Sequence, residues 1–123
     1  MSRAYDFLKE CGYYYLLTMN NDFPAGRPFG SIYEHNDLLY LCTGDSNQVH
    51  RQLRKNGNIQ LLAKKEGTRQ WLRITGKASE VTDPAVRQLV FEECPSVKAH
   101  VSRADDEHFL VFQVEVLDAE FHL

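Results

Sequence analysis

The segment Thr43-Gly44-Asp45-Ser46-Asn47-Gln48-Val49 joins an apolar run, Leu38 to Thr43, to a helical pattern carrying Val49 and Leu53 on one face. At such a junction backbone N–H groups are unpaired and point outward, and the helix dipole adds partial positive charge. The hydroxyls of Thr43 and Ser46 and the amides of Asn47 and Gln48 suit the oxygens of a phosphate. Ordinary capping by Asp45 or Ser46 fits the same residues, and the glycines and lysine of a P-loop are missing. Arg27 precedes Pro28 and Gly30 on a strand-like stretch whose other residues on the same face are Phe29, Ser31 and Tyr33. A guanidinium there suits a phosphate or a ring carbonyl, with a solvated edge-strand arginine as the bland alternative. Trp71 and Arg73 share a strand face opposite an apolar row. They mark either an interface or stacking surface, or a Trp covered by a helix of its own chain.

The remaining reactive side chains do not assemble into a protein-only catalytic site. The five histidines, His35, His50, His100, His108 and His122, are scattered without metal-ligand spacing. His50 sits close in sequence to Ser46, and a solvated position on the helix surface is expected for it. Cys11, Cys42 and Cys94 are odd in number and widely spaced, which reads as free thiols acting as small apolar residues. Asp105-Asp106 and Glu92-Glu93 are adjacent pairs of the kind that stay solvated. An enzyme built from these residues borrows its reactive group from a cofactor. No metal is implied.

The elements that must position these groups are legible from periodicity and punctuation. Ser2 caps a helix with Ala4, Tyr5, Leu8 and Cys11 on one stripe, ended by Gly12. Strands are expected over Tyr13 to Thr18, Gly26 to His35 (interrupted by Pro28 and Gly30), Leu38 to Thr43, Ile59 to Lys64, Gln70 to Val81 and Phe109 to Phe121. The helix after Gly44 closes at Asn56-Gly57, and Thr82-Asp83-Pro84 opens a further helix that stops before Pro95. A helical or irregular stretch then runs to about Asp106. Strands cluster instead of alternating with helices, so a mainly antiparallel six-stranded barrel with flanking helices is expected. Its interior would be filled by side chains, leaving a planar cofactor on the outer wall, where a second subunit would cover it.

The 123 residues suit a single domain, residues 1–123. Lys and Arg number 14 against 17 Asp and Glu, a net charge of −3 that gives no general pull toward nucleic acid or anionic membrane. The start, Met1-Ser2-Arg3-Ala4-Tyr5-Asp6, lacks the apolar stretch of a signal peptide, and no run approaches membrane-spanning length. With unpaired cysteines, a reducing cytoplasm is the expected compartment.

Taken in order, these stretches resemble the FMN-binding split-barrel family related to pyridoxamine 5′-phosphate oxidase, and in particular its small nitroimidazole-resistance-like members. The resemblance rests on Phe7-Leu8-Lys9-Glu10-Cys11-Gly12 before Tyr15-Leu16-Leu17-Thr18, on Arg27-Pro28-Phe29-Gly30, and on Leu39-Tyr40-Leu41-Cys42-Thr43-Gly44 followed by Val49 and Gln52-Leu53. Trp71-Leu72-Arg73-Ile74 with Gly76 and Ala78 completes it. The resemblance implies a split β-barrel homodimer with FMN at the interface. Arg27 and the turn with Thr43, Ser46, Asn47 and Gln48 would hold the phosphate; Pro28, Phe29 and Gly30 would border the isoalloxazine, with Trp71 nearby. It implies an oxidoreductase passing electrons from NADH or NADPH to a small acceptor. The alternative is a non-catalytic dimer that binds or senses FMN, haem or another planar ligand. Relatives commonly place a lysine or arginine where this chain has Asn47. Loss of that cation costs roughly 1–3 kcal/mol of phosphate binding if the pair is partly buried, or about one to two decades of affinity.

Overall fold

The computed structural model describes residues 2–99 and 101–123; the expectations that touch Met1 and His100 lie outside the described residues. Ser2 caps α1 (Arg3–Cys11), its hydroxyl accepting a hydrogen bond from the Tyr5 N–H. Gly12 ends the helix at φ 83°, a conformation glycine adopts without strain. The helix lays Tyr5, Phe7 and Leu8 against the sheet.

Seven strands follow: β1 (Tyr14–Asn20), β2 (Phe23–Phe29), β3 (Tyr33–His35), β4 (Leu38–Gly44), β5 (Asn58–Lys64), β6 (Trp71–Glu80) and β7 (Phe109–His122). Between them lie α2 (Val49–Lys55), α3 (Pro84–Glu93) and the short α4 (Pro95–Lys98). All form one antiparallel sheet in the order β2-β1-β5-β6-β7-β4-β3, which is open and not a closed barrel. The single strand expected over Gly26 to His35 is two strands on opposite ends of this sheet, so the count is seven and not six. The break has a local cause. The β1–β2 ladder ends at Tyr14↔Phe29, and Gly30 to Ile32 cross to the other edge before β3 pairs with β4. Asn36 and Asp37, both at positive φ, make the tight turn between β3 and β4.

The open sheet is rolled. Leu16, Leu41, Leu61, Ile74 and Phe112 come from five different strands and meet in one core, with α1 and α2 contributing Leu8, Val49 and Leu53. A second core lies on the outer face of β4 and β7, where Tyr40, Cys42, Phe109 and Val111 pack under Val90, Phe91 and Cys94 at α3 and its end. Asp83 caps α3 through the Ala85 N–H, with Pro84 in its first turn, as the sequence predicts.

One residue breaks the alternation of β7. Thr75 pairs with Asp118 but Gly76 pairs with Val116, so Leu117 is extra and forms a bulge. A Cβ at Gly76 would lie 2.6 Å from the Glu115 carbonyl oxygen, so only glycine admits this close approach. Beyond the bulge, Phe121 packs edge-on against Phe7 of α1, and the Arg3 guanidinium sits 4.3 Å from the centre of its ring.

Candidate functional site

The crossing residue Ser31 ties the two ends of the sheet together. Its hydroxyl donates to the Cys42 carbonyl at 2.9 Å and accepts from the Cys42 N–H at 3.1 Å, while the buried Tyr14 hydroxyl donates to the Ser31 carbonyl at 2.7 Å. Next to this tie a cavity of about 530 Å³ opens, within the roughly 300–1,000 Å³ typical of small-molecule sites. Pro28, Phe29 and Gly30 form one wall and Thr43, Gly44, Ser46 and Asn47 another. Thus six of the sequence-predicted residues, Pro28, Phe29, Gly30, Thr43, Ser46 and Asn47, come together from segments far apart in the chain.

The turn that enters the cavity is built by its own side chains. Asn47 Nδ2 donates to Thr43 Oγ1 at 2.9 Å, and Asn47 Oδ1 accepts from the Val49 N–H at 3.2 Å, so Asn47 organises the entry to α2. Among the described residues, no intramolecular partner takes up the backbone N–H of Ser46, Asn47 or Gln48. Capping by Asp45 or Ser46 does not occur. Instead Asp45 Oδ2 lies 2.8 Å from His108 Nδ1, a contact bridging 63 positions of sequence. That hydrogen bond holds the Asp45 carboxyl below its ordinary range and raises the His108 imidazole above its own. Asp45 is thereby engaged with the His108 ring and is not free to cap the turn.

Three predicted residues do not line the cavity. Arg27 faces the interior beside Leu16, donating to the Leu16 carbonyl at 3.1 Å, to Thr18 Oγ1 at 2.8 Å and to Gln52 Oε1 at 2.7 Å. All three acceptors are neutral, and burial lowers the guanidinium below its ordinary value. Gln48 is exposed and accepts from Arg51 at 3.4 Å. Trp71 lies half-buried on the outer face of β6, stacked on His122 at 5.4 Å with the Arg73 guanidinium 5.3 Å from its ring; a neighbouring strand, not a helix, covers it.

His50 is a correction. It is buried at 5% exposure and not solvated, and its Nδ1 has no hydrogen-bond partner. The seven-residue α2 lies so close to the sheet that His50 is covered along with Val49 and Leu53.

Sequence reasoning missed the other cavity walls. Val97 and Val101 come from the stretch left helical or irregular, Ser31 and Cys42 from the tie between sheet ends, and His108 and Phe109 from the start of β7. The valine spacing is a faint signal for a covering segment; nothing local points to His108. A second depression, about 640 Å³ between α3 and residues 102–105, holds none of the predicted residues. Its arginines are engaged within the chain: Arg87 by the Ala104 and Asp106 carbonyls, Arg103 by Asp105.

A rolled, open antiparallel sheet with a cavity at its split is a split-barrel fold. The family model described as pyridoxamine 5′-phosphate oxidase matches residues 2–122, and the chain belongs to that family. A solved NimC/NimA family protein from Clostridium acetobutylicum is 30% identical, the match covering 97% of this chain and 89% of that one at a TM-score of 0.83. General stress protein 26 from Bacillus anthracis shares the fold at 16% identity (94% and 88% covered, TM-score 0.78). So does a FAD-binding protein from Mesorhizobium loti at 14% identity (98% and 94% covered, TM-score 0.67). No curated protein matches the chain in sequence. Among the described residues no helix is long and apolar enough to cross a membrane.

Proposed function

We propose that the protein is an FMN-binding oxidoreductase that takes reducing equivalents from NADH or NADPH and passes them to a small acceptor in a reducing cytoplasm. The observation that carries this reading is the cavity itself. It joins the hydroxyl- and amide-bearing turn to the Phe29 strand end, in a chain of the pyridoxamine 5′-phosphate oxidase family, one of whose fold neighbours is a FAD-binding protein. Bound flavin supplies the electron-transfer chemistry; the chain supplies binding, orientation and exclusion of water. The unpaired N–H groups of Ser46 and Asn47, with the Ser46 and Thr43 hydroxyls, are donors suited to a phosphate. Phe29, Val97, Val101 and Phe109 are an apolar surface suited to a flat ring. Arg27, its charge met only by neutral groups, adds positive potential at the end of β2.

A homodimer belongs to this reading. The outer face of β1 and the bulged part of β7 expose Tyr15 and Leu117 at 45% and 55%, with Trp71 half-buried on the same side of the sheet. A second copy would cover that area.

The test is titration of the purified chain with FMN, followed by absorption and flavin fluorescence, then anaerobic addition of NADH or NADPH. Saturable binding with reduction is expected, and Asn47→Lys should tighten it by about one to two decades. Absence of binding at micromolar FMN removes the flavin reading. A second reading, a non-catalytic binder of FMN, haem or another planar ligand, is favoured by one observation. Among the described residues lining the cavity, His108 is the sole basic group, and it is paired with Asp45. Bound flavin that neither nicotinamide reduces would select it.

A further inference from the structure

The ladder between β4 and β7 ends at Gly44↔Phe109, which sets Asp45 and His108 side by side where the cavity opens. The backbone on the β7 side is pinned there. The Asp106 carboxylate accepts from the His108 N–H at 2.8 Å, and the Asp106 carbonyl accepts from the Phe109 N–H at 3.1 Å. The imidazole then reaches Asp45, Nδ1 to Oδ2 at 2.8 Å, while its Nε2 stays 3.5 Å from Glu107 Oε1, too far for a good hydrogen bond. The ring is 61% exposed and shares the cavity wall with Thr43, Ser46 and Asn47. An exposed ion pair adds little to the stability of a fold. This one stands instead where a ligand would meet it.

The other walls are uncharged. The end of β2 presents Pro28 and Phe29, residues 97–101 present Val97 and Val101, and β4 presents the buried Cys42. Among the described residues that line the cavity, His108 is the one side chain that can carry a positive charge near neutral pH.

On the reading of this cavity as the seat of a phosphate-bearing cofactor, we propose that His108 is the cation that meets the phosphate, so that the ligand binds together with one proton.

With His108 protonated, the pair with Asp45 is neutral. With His108 neutral, the Asp45 carboxylate stands alone beside the turn. Loss of the proton therefore adds one negative charge next to the bound phosphate, and the phosphate in turn holds the proton on. Asp45 already holds the imidazole above its ordinary value; partial desolvation opposes this, and Glu107 and Asp106 assist it. Asp45 is lowered chiefly by His108, with a minor contribution from His50 on α2. Affinity falls by at most about tenfold per pH unit between the free and ligand-bound His108 values, the limit for one linked proton.

The experiment titrates the full chain with FMN between pH 7 and 9, where a phosphate monoester, with a second pKa of about 6, is already a dianion. Flavin fluorescence reports binding, and riboflavin is the probe that lacks the phosphate. FMN affinity should fall as pH rises, and riboflavin affinity should not. His108→Gln should bind FMN at pH 7 as weakly as the unaltered chain does at pH 9, without pH dependence. His108→Lys should hold the tighter affinity across the whole interval. The exposed ring contributes little to the core, so both variants keep the fold. A second measurement needs no flavin: the His108 ring proton is followed by NMR through a pH series with and without inorganic phosphate at matched ionic strength. Phosphate should raise its midpoint. FMN bound with an unaltered pH trend in His108→Gln, or riboflavin following that trend, overturns the proposal and leaves the flavin reading standing. A chain that binds no FMN but whose His108 responds to phosphate upholds the proposal and removes the flavin reading. If neither FMN nor phosphate moves His108, the proposal falls.

Discussion

The two halves of the rolled sheet are made from similar residues and finished in opposite ways. Along β4 and the first part of β7, side chains are buried on both faces, because α3 covers the outer one and encloses Tyr40, Cys42, Phe109 and Val111. Along β1, β5 and β6 the inner face is just as dry, yet the outer face carries Tyr15 in the open and Trp71 half covered, with Leu117 of the adjoining β7 bulge exposed beside them. The chain spends its one long late helix on the side that holds the cavity. The difference teaches where the open space lies: the cavity opens on the enclosed half, whereas the bare half leaves large apolar side chains of its outer face exposed.

Four substitutions sharpen or break that comparison. Leu61→Ala, fully buried in the first core, should cost about 2–5 kcal/mol in denaturant unfolding. A smaller loss would mean that the core collapses around the gap. Ser31→Ala leaves the Cys42 N–H without its acceptor and should cost about 1–3 kcal/mol, with Tyr14 fluorescence reporting loosening at the split. Leu117→Ala on the bare half should change the unfolding free energy of a dilute chain by no more than about 0.5 kcal/mol. It should, however, weaken self-association in sedimentation equilibrium; unaltered association would detach Leu117 from any contact between copies.

The smallest effect is electrostatic. His108 should titrate above its ordinary value of 6.5 in an NMR pH series, and Asp45→Asn should return it toward that value. Because the His108 value is raised, its contribution is full below 6.5 and fades as pH rises through the raised value. Because the Asp45 value is lowered, its contribution is present above 3.8 and fades as pH falls through the lowered value. The pair is therefore closed in the window between, and a His108 curve unmoved by Asp45→Asn would show that the contact is not formed in solution.

Local chemistry made much of this fold legible. Ser2 and Asp83 cap where oxygen acceptors precede apolar stripes, and β6 alternates as a half-buried strand must. The candidate turn and the Pro28–Gly30 strand end were both visible as residue types at an element boundary. What escaped depends on long-range packing. Arg27 turns inward because its neighbour across the ladder is Leu16, a pairing that strand periodicity alone does not specify. His50 is buried because α2 is short and pressed to the sheet, although its helical position reads as a margin. The split at Gly30 to Ile32 was marked by Pro28 and Gly30 as an irregularity, but that these residues change sheet edge follows only from the return of β4 beside β7.

The extra residue at Leu117 also governs the parity of the chain's tail. Before the bulge the even-numbered Leu110, Phe112 and Val114 of β7 enter the core; beyond it the odd-numbered Phe121 packs against that core, opposite Leu72. Removing that one residue would straighten the strand and swing Phe121 out to water, away from the Phe7 ring and the Arg3 guanidinium that now pack on it. Length changes in this tail are therefore tolerated in steps of two, or when a compensating insertion moves the kink elsewhere.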